Sequence, residues 1–107
     1  MTITAQILQN TGPATAAGTV LGSQSIAAPA AWTRLTGLDG TIPEGGAVLN
    51  ISSDAEAFRY AVMDPVSAQD TAAADRAPPH NGDLVTGIGA PGRDTVPYGA
   101  QVWVKQA

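Results

Sequence analysis

The sequence predicts an all-β fold, a small antiparallel β-sandwich or a jelly-roll-like barrel. Eight prolines and twelve glycines in 107 residues break the chain at short intervals, which favours brief strands and turns over long helices. Between those breaks lie six or seven short apolar/polar alternating segments, at the spacing of a sandwich or small barrel. A chain of this length holds one domain with a modest core.

The first alternating segment is Ile3 to Leu8, a strand. From Gln9 to Ala30 the chain is rich in Gly, Ala, Thr, Ser and Pro, too small-sided to build a core alone. That stretch is expected as an arm ordered against a neighbour, or as a loop followed by an edge strand around Gly18 to Ile26. The chain accordingly divides into a Gly/Ala-rich N-terminal arm or edge strands over 1–30 and a β-sandwich over 31–107. Residues 1–30 are expected to serve assembly, so that a chain without residues 1–12 still folds its remaining strands.

Trp32-Thr33-Arg34-Leu35 alternates and runs to Asp39-Gly40, a strong turn dipeptide. A second turn over Ile42-Pro43-Glu44-Gly45-Gly46 launches a strand from Ala47 to Ser52. Ala57 to Val62 is the next strand, with Phe58, Tyr60 and Val62 on one face. The pattern then lapses from Asp64 to Asn81, a long gap for a compact domain. Within it Ser67 and Asp70 form a capping box, alanines follow, and Pro78-Pro79 would end a helix. One short helix in the 64–81 loop is thus the alternative to an irregular connection. Asn81-Gly82 marks a turn, Asp83 to Ile88 a strand, and Val96-Pro97-Tyr98-Gly99 a bend. Ala100 to Lys105 closes the chain as its clearest strand.

Composition narrows the function. Charged residues make up 13%, against about a quarter in an average soluble domain. A chain this poor in charge is expected to cover part of its surface with other subunits. Arg34, Arg59, Arg76, Arg93 and Lys105 are scattered singly in a chain of net charge −4, so no basic stripe exists for nucleic acid. No apolar run approaches the ~20 residues of a membrane span, and no basic amphipathic segment suits a membrane surface. Met1 to Gln6 has neither the charged start nor the apolar stretch of a signal peptide, and cysteine is absent. Both features predict synthesis and assembly in the cytoplasm, with stability drawn from packing and association.

Candidate chemistry is sparse, and neither a catalytic residue, a cofactor nor a metal is expected. The single histidine, His80, sits in Pro78-Pro79-His80-Asn81-Gly82, and no nucleophile or second metal ligand neighbours it. Gly87-Ile88-Gly89-Ala90-Pro91-Gly92 carries the letters of a dinucleotide-binding glycine motif. That motif works only where a helix begins and offers its amides to a pyrophosphate, and Pro91 and Pro97 exclude one here. These glycines read as a turn between strands. Asp64, Asp70, Asp75 and Asp83 lack the spacing of a calcium loop. Glu56 with Asp64 forms an acidic pair, with no aromatic-lined sugar cleft around it. Asn50-Ile51-Ser52 is a glycosylation sequon by letters alone. Trp32 and Trp103, in alternating strands, are expected in the core, and Tyr98, between Pro97 and Gly99, at a surface or subunit contact.

Four pieces carry a resemblance: the strand from Trp32 to Leu35; Val48 to Ser53 leading to Phe58 to Val62; the Asn81-Gly82-Asp83 loop; and the terminal Pro97-Tyr98-Gly99-Ala100-Gln101-Val102-Trp103-Val104. Over residues 32–105 this layout resembles small β-sandwich accessory proteins of tailed-phage virions and of gene transfer agents. The N-terminal third matches nothing diagnostic. The resemblance implies a structural, non-enzymatic role: a homo-oligomeric decoration, head-spike or fibre-base component of a virion or phage-like particle. It also implies a symmetric ring or trimer, set as a capsid-vertex spike base with capsid protein on one side and a fibre on the other. The main alternative is a carbohydrate- or receptor-binding module exposing Trp32, Tyr60 or Tyr98 in one patch. A small hydrolase using Asp and Glu is the third reading.

Overall fold

The computed structural model describes residues 1–10, 18–64, 77–86 and 91–107. Among them eight strands form: β1 (Thr2–Gln9), β2 (Val20–Ala27), β3 (Thr33–Arg34), β4 (Ala47–Ser53), β5 (Phe58–Met63), β6 (Asp83–Val85), β7 (Gly92–Val96) and β8 (Gln101–Gln106). They make two four-stranded sheets, ordered β2-β1-β4-β7 and β3-β8-β5-β6, with every pairing antiparallel. The sheets are separate, so the architecture is the sandwich of the two shapes expected. The chain changes sheet repeatedly, and most neighbours in space are distant in sequence: Thr33, for instance, pairs with Val104.

The core forms where inward-facing positions of the two sheets meet. Along β1 and β4 the period of two sends Ile3, Ala5, Ile7, Ala47, Leu49 and Ile51 inward, and all are buried. Phe58, Tyr60, Val85, Val102 and Val104 meet them from the second sheet, and Val62 packs against the cluster from its margin. Leu35, Leu38 and Ile42 fill one end from the connection before β4. Full burial of each large aliphatic or aromatic side chain stabilises by about 1.5–3 kcal/mol, so this cluster outweighs any surface ion pair here. Arg34 and Asp39 form such a pair at 2.8 Å across a 3-10 turn over Thr36–Leu38. The Asp39-Gly40 and Asn81-Gly82 turns place their glycines at φ 76° and 69°, the left-handed conformation these dipeptides favour.

Two expectations are corrected. Residues 1–30 do not form an appended arm: β1 lies inside its sheet, flanked by β2 and β4, and only β2 fits the expected edge strand. In the stretch that looked coreless, Gln9 to Ala30, Ser23 and Ser25 are exposed while Ile26 and Ala28 pack against the core. Loss of residues 1–12 would remove the strand that β2 and β4 share. The second correction is β7, a strand where a turn and a bend were read. In Gly92–Val96 only Val96 is buried, and Pro91 and Pro97 flank the segment, so it carries little strand signal. Gly92 is required by space, since a Cβ there would lie 2.9 Å from Tyr60 Cε1, 3.0 Å from Val85 Cγ2 and 3.1 Å from Ile51 Cγ2. β6 ends at Val85, and Thr86, within the expected strand, lies outside it. Residues 87–90 and the helix expected around Ser67 and Asp70 lie outside the described residues.

Removing residues 1–9 takes away the strand that β2 and β4 share. The shortened chain is expected to lose both its near-ultraviolet circular dichroism and its cooperative thermal transition, and retention of both would show that β1 is dispensable. Gly92→Ala inserts a methyl group among three packed side chains. It is expected to lower stability by about 1–3 kcal/mol in urea unfolding, whereas an unchanged midpoint would show that the core yields freely there.

Candidate functional site

The residues with chemical potential stay apart. His80 is exposed, and its Nδ1 accepts the Gly82 N–H at 3.0 Å, tightening the turn before β6. Asp64, just past β5, is exposed, Asp83 is exposed on β6, and Asp70 and Asp75 lie outside the described residues. Glu56 is exposed, and its backbone carbonyl accepts the Ser53 hydroxyl. Among the described residues no three His, Cys, Asp or Glu side chains gather as a metal site, and no helix is long and apolar enough to cross a membrane. Asn50 of the sequon is half-buried in mid-strand, between Gln6 and Arg93.

The aromatic side chains do not form the patch that a sugar-binding face would need. Tyr60 is buried, with its ring against the Gly92 position. Burial, then the charges of Asp94 and Asp83, raise its pKa above the ordinary 10.0. Trp32 is half-buried rather than in the core. Lys105 Nζ stands 5.0 Å from its ring centroid, a cation–π contact. A Cβ at Gly82 would lie 2.7 Å from Trp32 Cη2, so the Asn81-Gly82 turn seats that ring. Trp103 is buried as expected, but not between the sheets. It pairs with Ala61 and Arg34 on the face opposite Val102 and Val104, and its indole N–H donates to Gln101 Oε1 at 3.2 Å. Tyr98 is 38% exposed and lines a shallow depression of about 160 Å³ with Leu38, Asp39, Gly40 and Ile42.

The more distinctive feature is a surface that no single strand reveals. Residues directly opposite in an antiparallel ladder share a face, so the registers define the outer side of the β2-β1-β4-β7 sheet. From β1 it receives Thr2, Thr4, Gln6 and Leu8; from β2, Ser23, Ser25 and Ala27; from β4, Val48, Asn50 and Ser52. Arg93 and Thr95 complete it from β7, and Arg93 is the one charged side chain among these positions. Hydroxyls run across it, with Thr4 Oγ1 and Ser25 Oγ hydrogen-bonded at 2.9 Å.

The four sheet edges also differ. β3 has two residues and β6 three, while β7 carries Arg93 and Asp94. Shortness and charge are the ordinary ways of keeping an edge from pairing with another chain. β2 has neither protection: its eight residues, Val-Leu-Gly-Ser-Gln-Ser-Ile-Ala, contain no charge and no proline. Val20 and Leu21 at its start are 50% and 38% exposed. Composition pointed to an edge strand here, but not to its length or openness, because its small residues resemble those of a loop.

The Tyr60 environment gives a pH signature. A phenol whose pKa rises on folding favours the protonated folded state, so its contribution is complete below the unfolded value near 10 and is lost as pH rises through the folded value. Stability in urea is expected to hold up to about pH 9 and to decline above about pH 10, with Tyr60→Phe flattening that decline. An equal decline in the variant would assign it to other groups.

No family model, curated protein or solved structure matches this chain.

Proposed function

We propose that this chain is a structural component of a virion or phage-like particle, a decoration, head-spike or fibre-base protein that assembles with copies of itself and meets capsid or fibre proteins. The observation that carries the reading is the outer face of β2-β1-β4, which presents Thr, Ser, Gln and Asn with the half-buried Val48 and no charge. A face without charge can be covered without desolvating an ion, and its short side chains let another backbone come close. The β2 edge adds a row of backbone donors and acceptors to the same sheet. The resemblance of the Trp32 and Trp103 strands to phage accessory proteins supplies the setting.

The reading is tested on particles. Virions or phage-like particles from cells that make this protein would be purified on a density gradient and quantified by peptide mass spectrometry. The chain is expected in the particle band at a fixed ratio to capsid protein, a ratio that survives a second gradient. Recovery of the chain only from the soluble fraction would overturn the assignment.

A further inference from the structure

We propose that two copies of this chain join through β2, antiparallel about a two-fold axis at Gln24, so that their four-stranded sheets run on into one of eight. The inference deepens the assembly reading above and rests on it. It starts from the direction of the backbone groups along the edge. Ala28 donates its N–H to the Met1 carbonyl at 3.0 Å, just beyond the β1–β2 ladder. Hydrogen-bonded positions alternate in such a ladder, so Ile26 and Gln24 also bond to β1. The N–H and C=O groups of Ser23, Ser25 and Ala27 therefore point away from β1. No backbone hydrogen bond among the described residues reaches these three from outside the sheet.

A second copy satisfies that row in a register the faces themselves select. For two sheets to continue with their inner sides together, residues opposite each other must share a face. Centring on Gln24 sets Ser23 opposite Ser25 of the second copy and Leu21 opposite its Ala27. The outward-pointing positions then form the hydrogen-bonded pairs, and Gln24 meets its own symmetry mate in a non-bonded pair. On the inner side Gly22 meets Ile26, with the Thr41 side chain of its own copy packed over Gly22. Gln24 is already held, its Oε1 accepting the Gly37 N–H at 2.7 Å, so pairing need not move it. Each chain has one such edge, since β7 carries Arg93 and Asp94, and the pair closes on itself without growing into a fibre.

The test uses charge at two exposed outer-face positions. Light scattering coupled to size exclusion should give twice the 10.8 kDa chain mass for the wild type. Ser23→Lys with Ser25→Lys sets lysine opposite lysine, and loss of the dimer is expected. Ser23→Glu with Ser25→Lys sets opposite charges against each other in this register alone, and the dimer should return. Circular dichroism and thermal unfolding check that both variants fold. A wild-type oligomer that survives the double-lysine change, or that the charge swap fails to restore, overturns the β2 interface while leaving the particle assignment to the gradient experiment. A wild-type monomer at every concentration overturns it too, and leaves the edge to an extended strand of another protein.

Discussion

The register between β1 and β4 governs the rest of the structure. Ile3, Ala5 and Ile7 stand opposite Ser53, Ile51 and Leu49, and together these positions form one wall of the core. Because side chains alternate, a slip of one residue would turn Thr4 and Gln6 inward and expose three apolar residues. The same constraint sorts the outer side. With the inner wall fixed, Thr, Gln, Asn and Ser have only the solvent face to occupy, so core and uncharged surface are two results of one pairing.

The second sheet depends on that wall. Phe58, Tyr60, Val102 and Val104 pack onto it, and Gly92 lets β7 pass close under the Tyr60 ring without displacing it. The ring is buried near Asp94 and Asp83, which accounts for its reluctance to ionise. At the rim the Trp32 ring lies between the Gly82 backbone and the Lys105 ammonium, tying the start of β3 to the turn before β6 and to the end of β8. These contacts are structural, and they engage most of the aromatic side chains that a binding module would display.

Much of this fold was legible in the sequence. The Asp39-Gly40 turn, the alternation of Phe58 to Val62 and the strand read over Ala100 to Lys105, observed as Gln101–Gln106, each carry a local signal. β7 was not legible, because an edge strand with one inward side chain and prolines at both ends looks like a loop. The Ile3 to Leu8 alternation was legible as a strand, but its place inside the sheet was not. The small, polar composition of Gln9 to Ala30 hid the full length of β2, which gives β1 its second neighbour. The outer face was beyond sequence reasoning altogether, since it is assembled from β1, β2 and β4, whose adjacency no local pattern states. Trp103 shows the same limit: its burial was readable, but not the side of the sheet on which it is buried.

The position of β8 also has a kinetic consequence. β8 lies between β3 and β5, although it is the last strand in sequence, and Thr33 waits for Val104 before its own short ladder can form. Pairings that span so much chain close slowly, because loop entropy is lost before contacts repay it. Until β8 has been synthesised, β3 stands apart from β5 and β6, and the core lacks Val102 and Val104. The open β2 edge is then only one of several exposed strands. During this interval, selection on the sequence would act through sparing use of long apolar runs, which the scattered alanines and glycines of this chain supply.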